Sequence, residues 1–259
     1  MFDNTCKFIA EMYSPDFATW LLGEPITLTK LSPTELSLEP IRADALILLQ
    51  SDEVVLHIEF QTKPDDDMPF RMADYRLRVY RRFPKKRMHQ VVIYLDKTES
   101  EKVYQTTFTA GSLQHEFSVI RLWEQPPEVF LAAPGLLPFA VLSATENKVA
   151  TLQQSSAAVD KIADRRKQSN IAAASAILAG LVLEKDVIER LFRKDIMRES
   201  VIYQQIKIEG EEEGSDKKAR QIAVNLLKEG MAVDVIARLT DLSVEVVQQL
   251  QQGESENQG

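Results

Sequence analysis

The segment Glu53-Val-Val-Leu-His-Ile-Glu-Phe-Gln-Thr62 is an apolar run that contains one internal acid, and it decides the fold of the first half of the chain. Its Val, Leu, Ile and Phe residues predict a buried β-strand. Two further segments rich in Ile, Val and Leu precede it, Ile26 to Leu38 and Ile41 to Gln50. Three consecutive aspartates and two prolines within Lys63 to Pro69 predict a loop. The sequence therefore predicts three strands followed by a loop.

The flanking residues extend this block to an α-β-β-β-α-β order. Cys6 to Leu22 has apolar residues at helical spacing, and Phe70 to Phe83 divides into an apolar and a basic side. His89 to Leu95 contains the run Val-Val-Ile-Tyr-Leu and predicts another buried strand. Val103 to Thr109 and Glu116 to Leu122 predict a hairpin. The first half is thus predicted to be an α/β domain.

The second half of the chain is predicted to be helical. Ala157 to Phe192 is a long helical region, and Glu209 to Gly214 is an acidic, glycine-bounded segment that predicts a linker. Short helices are predicted from Lys217 to Leu250, before a polar tail. The predicted domains are an α/β core over residues 1–125, a helical extension packed on it over 126–208, and the linker, a helical appendage and the tail over 209–259.

Composition excludes several classes of protein. With 259 residues, 44% hydrophobic and 27% charged, the chain is not collagen-like, low-complexity or disordered. Its single cysteine, Cys6, permits no internal disulfide, the N-terminus does not resemble a signal peptide, and the longest apolar run, Ile171 to Leu183, is short for a membrane span. We therefore expect a cytoplasmic protein without membrane association. The net charge of −8 argues against coating nucleic acid through bulk charge.

One local patch is nevertheless strongly basic. Residues 71–87 carry eight Lys or Arg residues against the single acid Asp74. On a helical projection Arg71, Arg78 and Arg82 share an exposed stripe, which is either a solvated face or a track for DNA phosphates. Arg76 falls among the apolar residues, so it either extends to the surface or approaches acidic groups. These four arginines are the predicted DNA-binding residues.

The second and third strands bring two acids together if a two-residue turn joins them at Ser51-Asp52. Gln50 then opposes Glu53, and Asp44 opposes Glu59. Because side chains alternate along a strand, Gln61 and His57 share the face of Glu59. Two opposed acids in apolar strands repel each other unless a cation joins them, although a solvated face or pairing with Arg42 and Arg76 explains them equally well.

The same residues carry a resemblance to a known family. Arg42-Ala-Asp44 followed by His57-Ile-Glu-Phe-Gln-Thr62 resembles the active-site signature of the PD-(D/E)XK nuclease superfamily. In detail the chain is similar to the family of recombination-promoting nucleases and proposed transposases, in its cyanobacterial form. The similarity extends through Pro69 to Phe83, Gln90 to Tyr94, and later short strings, over roughly residues 1–205. It implies a restriction-endonuclease-like αβββαβ core with a mixed sheet.

The resemblance also implies a Mg²⁺-dependent endonuclease that hydrolyses DNA phosphodiesters, with a role in recombination or mobile elements. Asp44, Glu59 and the Phe60 carbonyl are the implied metal ligands, and Asp44, Glu59 and Gln61 the implied catalytic residues. Gln61 replaces the lysine usual in the superfamily, and an amide can only orient groups by hydrogen bonds. The alternative function is a non-catalytic DNA-binding or protein-interaction module on the same scaffold.

Three features outside this signature are weighed as well. Glu11, Glu35 and Glu39 are candidates for a further acid at the site, although each is more simply a surface residue. His57 is interpreted as a packed core histidine. Val233 to Thr240 and Val244 to Leu250 resemble a helix-turn-helix pair capped by Ser243, and the second helix has no Lys or Arg. Self-association through these helices is favoured over DNA recognition.

Overall fold

The computed structural model describes residues 2–31, 46–192 and 194–256. The chain forms two compact units, Met1–Tyr203 and Gln204–Gly259. The strands are β1 (Thr29–Lys30), β2 (Leu46–Gln50), β3 (Val54–Gln61), β4 (Arg87–Tyr94), β5 (Thr107–Ala110), β6 (Leu113–Glu116) and β7 (Ser118–Arg121). The helices are α1 (Phe2–Met12), α2 (Ser14–Leu22), α3 (Met68–Arg82), α4 (Pro127–Leu131), α5 (Lys148–Val159), α6 (Arg165–Ala179), α7 (Lys185–Leu191), α8 (Lys194–Met197), α9 (Val201–Lys228), α10 (Val233–Thr240) and α11 (Val244–Glu256).

A five-stranded mixed sheet organises the first unit, in the order β1-β2-β3-β4-β7. β1, β2 and β3 are antiparallel neighbours, whereas β3, β4 and β7 run parallel. Parallel strands need a crossover, and α3 supplies it between β3 and β4. The predicted α/β class and mixed sheet are confirmed.

The central strand β3 is covered on both faces, which is why it is an almost unbroken apolar run. On one face the Phe60 ring stacks on Phe139 at 5.6 Å between centroids and meets Phe17 edge-on at 6.3 Å. On the other face α3 packs through Tyr75, and Val79 joins a cluster with Val55 of β3. β3 therefore has no solvated face.

The predicted hairpin beyond β4 is wrong in its partners. β5 and β6 form a separate two-stranded sheet, and β7 leaves it to join β4. The reason is the tight turn between Ala110 and Leu113, where Gly111 has a φ of 62°. A two-residue turn fixes the register of a hairpin, and it divides the segment predicted as one strand, Glu116 to Leu122, between β6 and β7.

The predicted linker is also wrong, whereas the helical region before it is confirmed. Ala157 to Phe192 contains the end of α5, with α6 and α7. Glu209 to Gly214 lies inside α9, which is continuous from Val201 to Lys228. Glu is a good helix former, and a glycine within a helix costs only about 1 kcal/mol. The boundary between residues 125 and 126 stays a prediction. No helix in the described part of the chain is both long and apolar enough to cross a membrane.

A buried 3₁₀ segment, Pro134–Leu142, contacts α2, α4, α5 and α6 and holds the helical layer to the N-terminal helices. The Gly135 N–H donates a hydrogen bond to Asp16 Oδ2 at 2.7 Å. A Cβ at Gly135 would collide with the Cβ of Tyr13, so the close approach requires glycine.

Gly135→Ala should therefore lower the free energy of unfolding by about 1–3 kcal/mol, the usual cost of overpacking. Chemical denaturation followed by circular dichroism measures the change. A stability equal to that of the wild type would show that the 3₁₀ segment separates from Tyr13 without loss.

Candidate active site

The candidate site lies at the carboxyl edge of the parallel strands, where ligands of such sheets commonly bind. Glu59 and Gln61 are two residues apart on β3, so their side chains share a face. Glu59 is 0% exposed, and Gln61 is half-buried. The predicted partner Asp44 lies outside the described residues.

The predicted register of the β2–β3 hairpin is wrong. Leu46, rather than Asp44, opposes Glu59, and Gln50 opposes Val55. The turn is at Asp52-Glu53, because the Ser51 N–H donates to the Val54 carbonyl at 2.9 Å and the Ser51 hydroxyl accepts from the Val54 N–H at 3.2 Å. When a two-residue turn moves by one position along the chain, each residue of one strand faces a partner two positions further along the other strand.

A chain of hydrogen bonds links Glu59 to α3 through two buried side chains. His57 Nε2 lies 3.3 Å from Glu59 Oε1, and His57 Nδ1 lies 3.0 Å from Gln90 Nε2. Gln90 Nε2 also donates to the carbonyl oxygen of Met72 at 2.7 Å. His57 is 0% exposed and Gln90 only 7%. The interpretation of His57 as a core histidine was right about burial but missed these partners, because Gln90 lies far along the chain.

The second oxygen of Glu59 has no such partner. Glu59 Oε2 is shielded from solvent and makes no hydrogen bond to any of the residues that the structure describes. A buried polar atom without a partner is costly and rare, and an absent ion is one of its ordinary explanations. The carboxylate is thus held at one oxygen and left open at the other.

Asp3, in the first turn of α1, is a second acid at the site that the sequence did not reveal. Its Oδ1 is also shielded and without a hydrogen bond. Burial raises the pKa of the Asp3 carboxyl; the positive charge of the N-terminus opposes this shift, and the Glu59 charge adds a smaller contribution to it. An acid in the first turn of a helix is common because it favours the helix dipole, so only the folded chain shows its second role.

Of the three further acids proposed from the sequence, the structure describes only Glu11. Glu11 forms an ion pair with Lys30 at 3.0 Å, and both side chains are at least partly exposed. Glu35 and Glu39 lie outside the described residues. Glu11 is therefore a surface acid, as its simpler interpretation held.

Tyr75 packs against the histidine from α3. The two rings meet edge-on at 5.1 Å between centroids, and Tyr75 is 3% exposed. Burial, with a further contribution from the Glu59 charge, raises the pKa of Tyr75 to about 12. The phenol thus stays neutral and encloses the imidazole.

The four predicted DNA-binding arginines lie on α3. Arg71 pairs with Asp65 at 2.6 Å, and Arg78 pairs with Asp74 at 2.8 Å. Arg76 is half-buried, and its guanidinium donates a hydrogen bond to the Met88 carbonyl of β4 at 3.2 Å. The partner seen in the structure is thus a backbone carbonyl. Arg82 is exposed beside its neighbour Phe83.

The apolar side of α3 is narrower than the sequence predicts. Leu77 and Tyr80 fall on the apolar side predicted for Phe70 to Phe83, yet they are 53% and 59% exposed. Met72, Ala73, Tyr75 and Val79 on the same side are buried. A helix that packs on a sheet buries only a narrow stripe of its surface, so the outer residues of the apolar side of α3 remain exposed to solvent.

The groups around Glu59 fit a hard cation in part. The Gln61 carbonyl accepts from the Leu95 N–H at 2.8 Å, on the β4 side. Successive carbonyls alternate, so the Phe60 carbonyl points to the β2 side, beyond the last described pair of Leu46 with Glu59. Mg²⁺ prefers such carboxylate and carbonyl oxygens. Within the described residues no group of three or more His, Cys, Asp or Glu side chains is arranged for a metal, and Asp44 is not among those residues.

The second unit has a small core of its own, formed by α9, α10 and α11. Ala223, Ile236, Ala237 and Val247 are its buried centre. Ser243 Oγ accepts from the Val246 N–H at 3.3 Å, which confirms the predicted cap. The preceding turn passes through Asp241 at a φ of 60°.

Comparison with protein families finds one match, in this unit. Residues 216–252 match the family model described as "Rpn/YhgA-like nuclease family, C-terminal HTH domain". The match supports the resemblance to recombination-promoting nucleases. No curated protein and no solved structure matches the chain significantly.

Asp3→Asn should stabilise the protein at neutral pH. The Asp3 pKa is raised in the folded state, so its charge lowers stability above that pKa, and the penalty disappears as the pH falls through it. Thermal unfolding should therefore give a higher Tm for Asp3→Asn at neutral pH and no difference in acid.

Asp186→Asn is the matched control, because Asp186 is an exposed acid in the first turn of α7. It should give no gain at neutral pH, since only a weak interaction with the helix dipole is lost. An Asp3→Asn variant less stable than the wild type at neutral pH would contradict the assigned repulsion.

Proposed function

We propose that this protein is a Mg²⁺-dependent DNA endonuclease with a restriction-endonuclease-like core. The observation that carries the proposal is the buried Oε2 of Glu59, near the carboxyl end of β3, which has no partner among the described residues. A carboxylate in this state destabilises a protein unless a cation or donor reaches it. Mg²⁺ supplies that cation, and phosphodiester hydrolysis is the chemistry it serves.

The topology supports this assignment. α1 and α2 precede β1, β2 and β3, which are antiparallel, and α3 crosses over to the parallel β4. This is the αβββαβ order with a mixed sheet that the resemblance implies. The family match of the C-terminal unit is independent support, since it rests on other residues.

Asp44, Glu59 and the carbonyl of Phe60 are the proposed ligands. When bound, Mg²⁺ polarises the scissile phosphate and offsets the charge that develops on it. Glu59 contributes Oε2, because Oε1 is held by His57. Gln61 shares its face and orients a water or a phosphate oxygen by hydrogen bonds, since an amide is neither a base nor a cation at neutral pH.

The basic face of α3 is proposed to hold the DNA backbone. Arg71 begins this face close to the carboxyl end of β3, and Arg82 ends it about 16 Å away along the helix. The ion pairs of Arg71 and Arg78 are partly exposed, and such pairs contribute only about 0–1 kcal/mol. A phosphate can therefore replace the acid as partner, and Arg76, directed to the Met88 carbonyl, contributes least.

Glu59→Gln should reduce Mg²⁺-dependent cleavage of plasmid DNA at least about 100-fold, because even residues that only support a metal ligand contribute 10- to 100-fold. The fold should persist, as the amide keeps an acceptor for His57. Gel assays with and without EDTA measure cleavage, and circular dichroism checks the fold.

Glu11→Gln is the control, since this acid pairs with exposed Lys30 away from the site and its loss should leave cleavage unchanged. Full activity in Glu59→Gln would refute the site. A wild-type protein that binds DNA but never cleaves it with Mg²⁺ would instead favour the non-catalytic DNA-binding or interaction module.

Replacing Arg71, Arg78 and Arg82 together by Ala should weaken DNA binding for every sequence. Three phosphate contacts release roughly three counterions, so the slope of log K against log salt should fall by roughly three. Fluorescence anisotropy over a salt series measures it.

Arg165→Ala removes an exposed arginine that pairs with Glu199 in the turn between α8 and α9, and it should leave the slope unchanged. An unchanged slope in the triple variant would assign the α3 arginines to plain solvation.

The C-terminal unit is proposed to serve association more than recognition. A helix-turn-helix domain suggests DNA binding, but α11 has no Lys or Arg and carries Glu245, Glu254 and Glu256. A recognition helix in the major groove needs cations near the phosphates. Homo-oligomerisation through these helices therefore stays the favoured prediction, and a role in recombination or mobile elements stays part of the proposal.

A further inference from the structure

We propose that His57 and Gln90 are positioning residues that fix one oxygen of Glu59 so that the other is presented to the cation. This inference rests on the proposed function, because it requires a cation at Glu59. His57 itself is not a ligand of that cation. The evidence for it is the order of donors and acceptors in the series of hydrogen bonds that runs from Met72 through Gln90 and His57 to Glu59.

The Met72 carbonyl sets the orientation of the Gln90 amide. A backbone carbonyl only accepts hydrogen bonds, and its partner lies 2.7 Å away. If the amide were reversed, two oxygens would face each other at that distance. The group near Met72 is therefore the NH₂ of Gln90, with one hydrogen directed to the carbonyl and one free for His57.

The Gln90 amide in turn sets the tautomer of His57. An NH₂ group donates only, so His57 Nδ1, 3.0 Å away, must accept and carries no hydrogen. The ring hydrogen then sits on Nε2, which faces Glu59 Oε1 at 3.3 Å. Each donor in the series thus has one acceptor, and the α3 backbone anchors the direction of the whole series.

The packing prevents the imidazole from leaving this orientation. The Tyr75 ring meets it edge-on, and His57, Glu59 and Gln90 are all at most 7% exposed. A ring flip would replace both nitrogens by ring carbons and lose both hydrogen bonds, and the other tautomer would place an acceptor against Glu59 Oε1 and a donor against the Gln90 NH₂. Glu59 is therefore held at Oε1 in one geometry.

A purely structural role does not account for the other oxygen. Apolar side chains of similar volume are usually at least as stable as a buried polar pair, and here Oε2 remains without a partner. If a cation binds Oε2, a histidine that holds the carboxylate at Oε1 leaves Oε2 free for that cation. Such supporting residues typically change metal affinity or activity 10- to 100-fold.

The first test reads the tautomer directly. Long-range ¹H–¹⁵N NMR of the ¹⁵N-labelled full chain should show His57 with its hydrogen on Nε2, and Mg²⁺ addition should shift its signals. His89 and His115, the other two histidines, are internal controls in the same spectrum. A His57 hydrogen on Nδ1 would overturn the inference even if the protein is active.

The second test uses Gln90→Met, which removes the donor and keeps a similar volume. The Mg²⁺ concentration for half-maximal DNA cleavage should rise about 10- to 100-fold. Gln168→Met is the matched control, because Gln168 donates to the Val159 and Asp160 carbonyls away from the site. It should leave the Mg²⁺ requirement unchanged.

The outcomes separate this inference from the proposed function. An unchanged Mg²⁺ requirement in Gln90→Met, with wild-type cleavage that depends on Glu59, would overturn the positioning role alone. A wild-type chain without cleavage and without any Mg²⁺ effect on the His57 signals would overturn both. If Gln90→Met does not fold, the wild-type NMR result alone decides.

Discussion

Glu59 is a fully buried carboxylate near the carboxyl end of β3, and the need to satisfy it constrains the residues around it. A buried acid requires partners, and β3 provides one through His57, two residues earlier on the same face. That histidine needs its own partner, which β4 provides through Gln90, and Gln90 needs an acceptor, which α3 provides in its backbone. The polar series therefore joins three elements that the apolar core already packs together.

The elements around this site were largely predictable from the sequence. β3 is predicted at Glu53 to Thr62 and observed at Val54–Gln61, because a long apolar run between turn residues has few alternatives. The β2–β3 register was not predictable. Ser51 pairs with Val54 across the turn, and no sequence pattern distinguishes a turn at Asp52-Glu53 from the predicted turn at Ser51-Asp52. The Gln90 partner of His57 was hidden for another reason: it lies 33 residues further along the chain.

The helix α3 has two chemically different sides that serve one region. Its inner stripe packs on the sheet through Met72, Tyr75 and Val79, and its outer side carries Arg78, Arg81 and Arg82. This outer side is a local concentration of positive charge on a chain whose net charge is −8. The same helix therefore carries this cationic face and anchors Gln90 through the Met72 carbonyl.

The hydrogen-bonded series comes entirely from the βαβ unit of β3, α3 and β4, a single continuous stretch of the chain. Contacts within such a stretch form with little loop-closure entropy, so they are available early in folding. The acid can thus acquire its orientation before the helical layer assembles. Segments beyond β4 then complete the core, since Phe139 stacks on Phe60 and β7 pairs with β4, while the hydrogen bonds that orient the acid come from the βαβ unit alone.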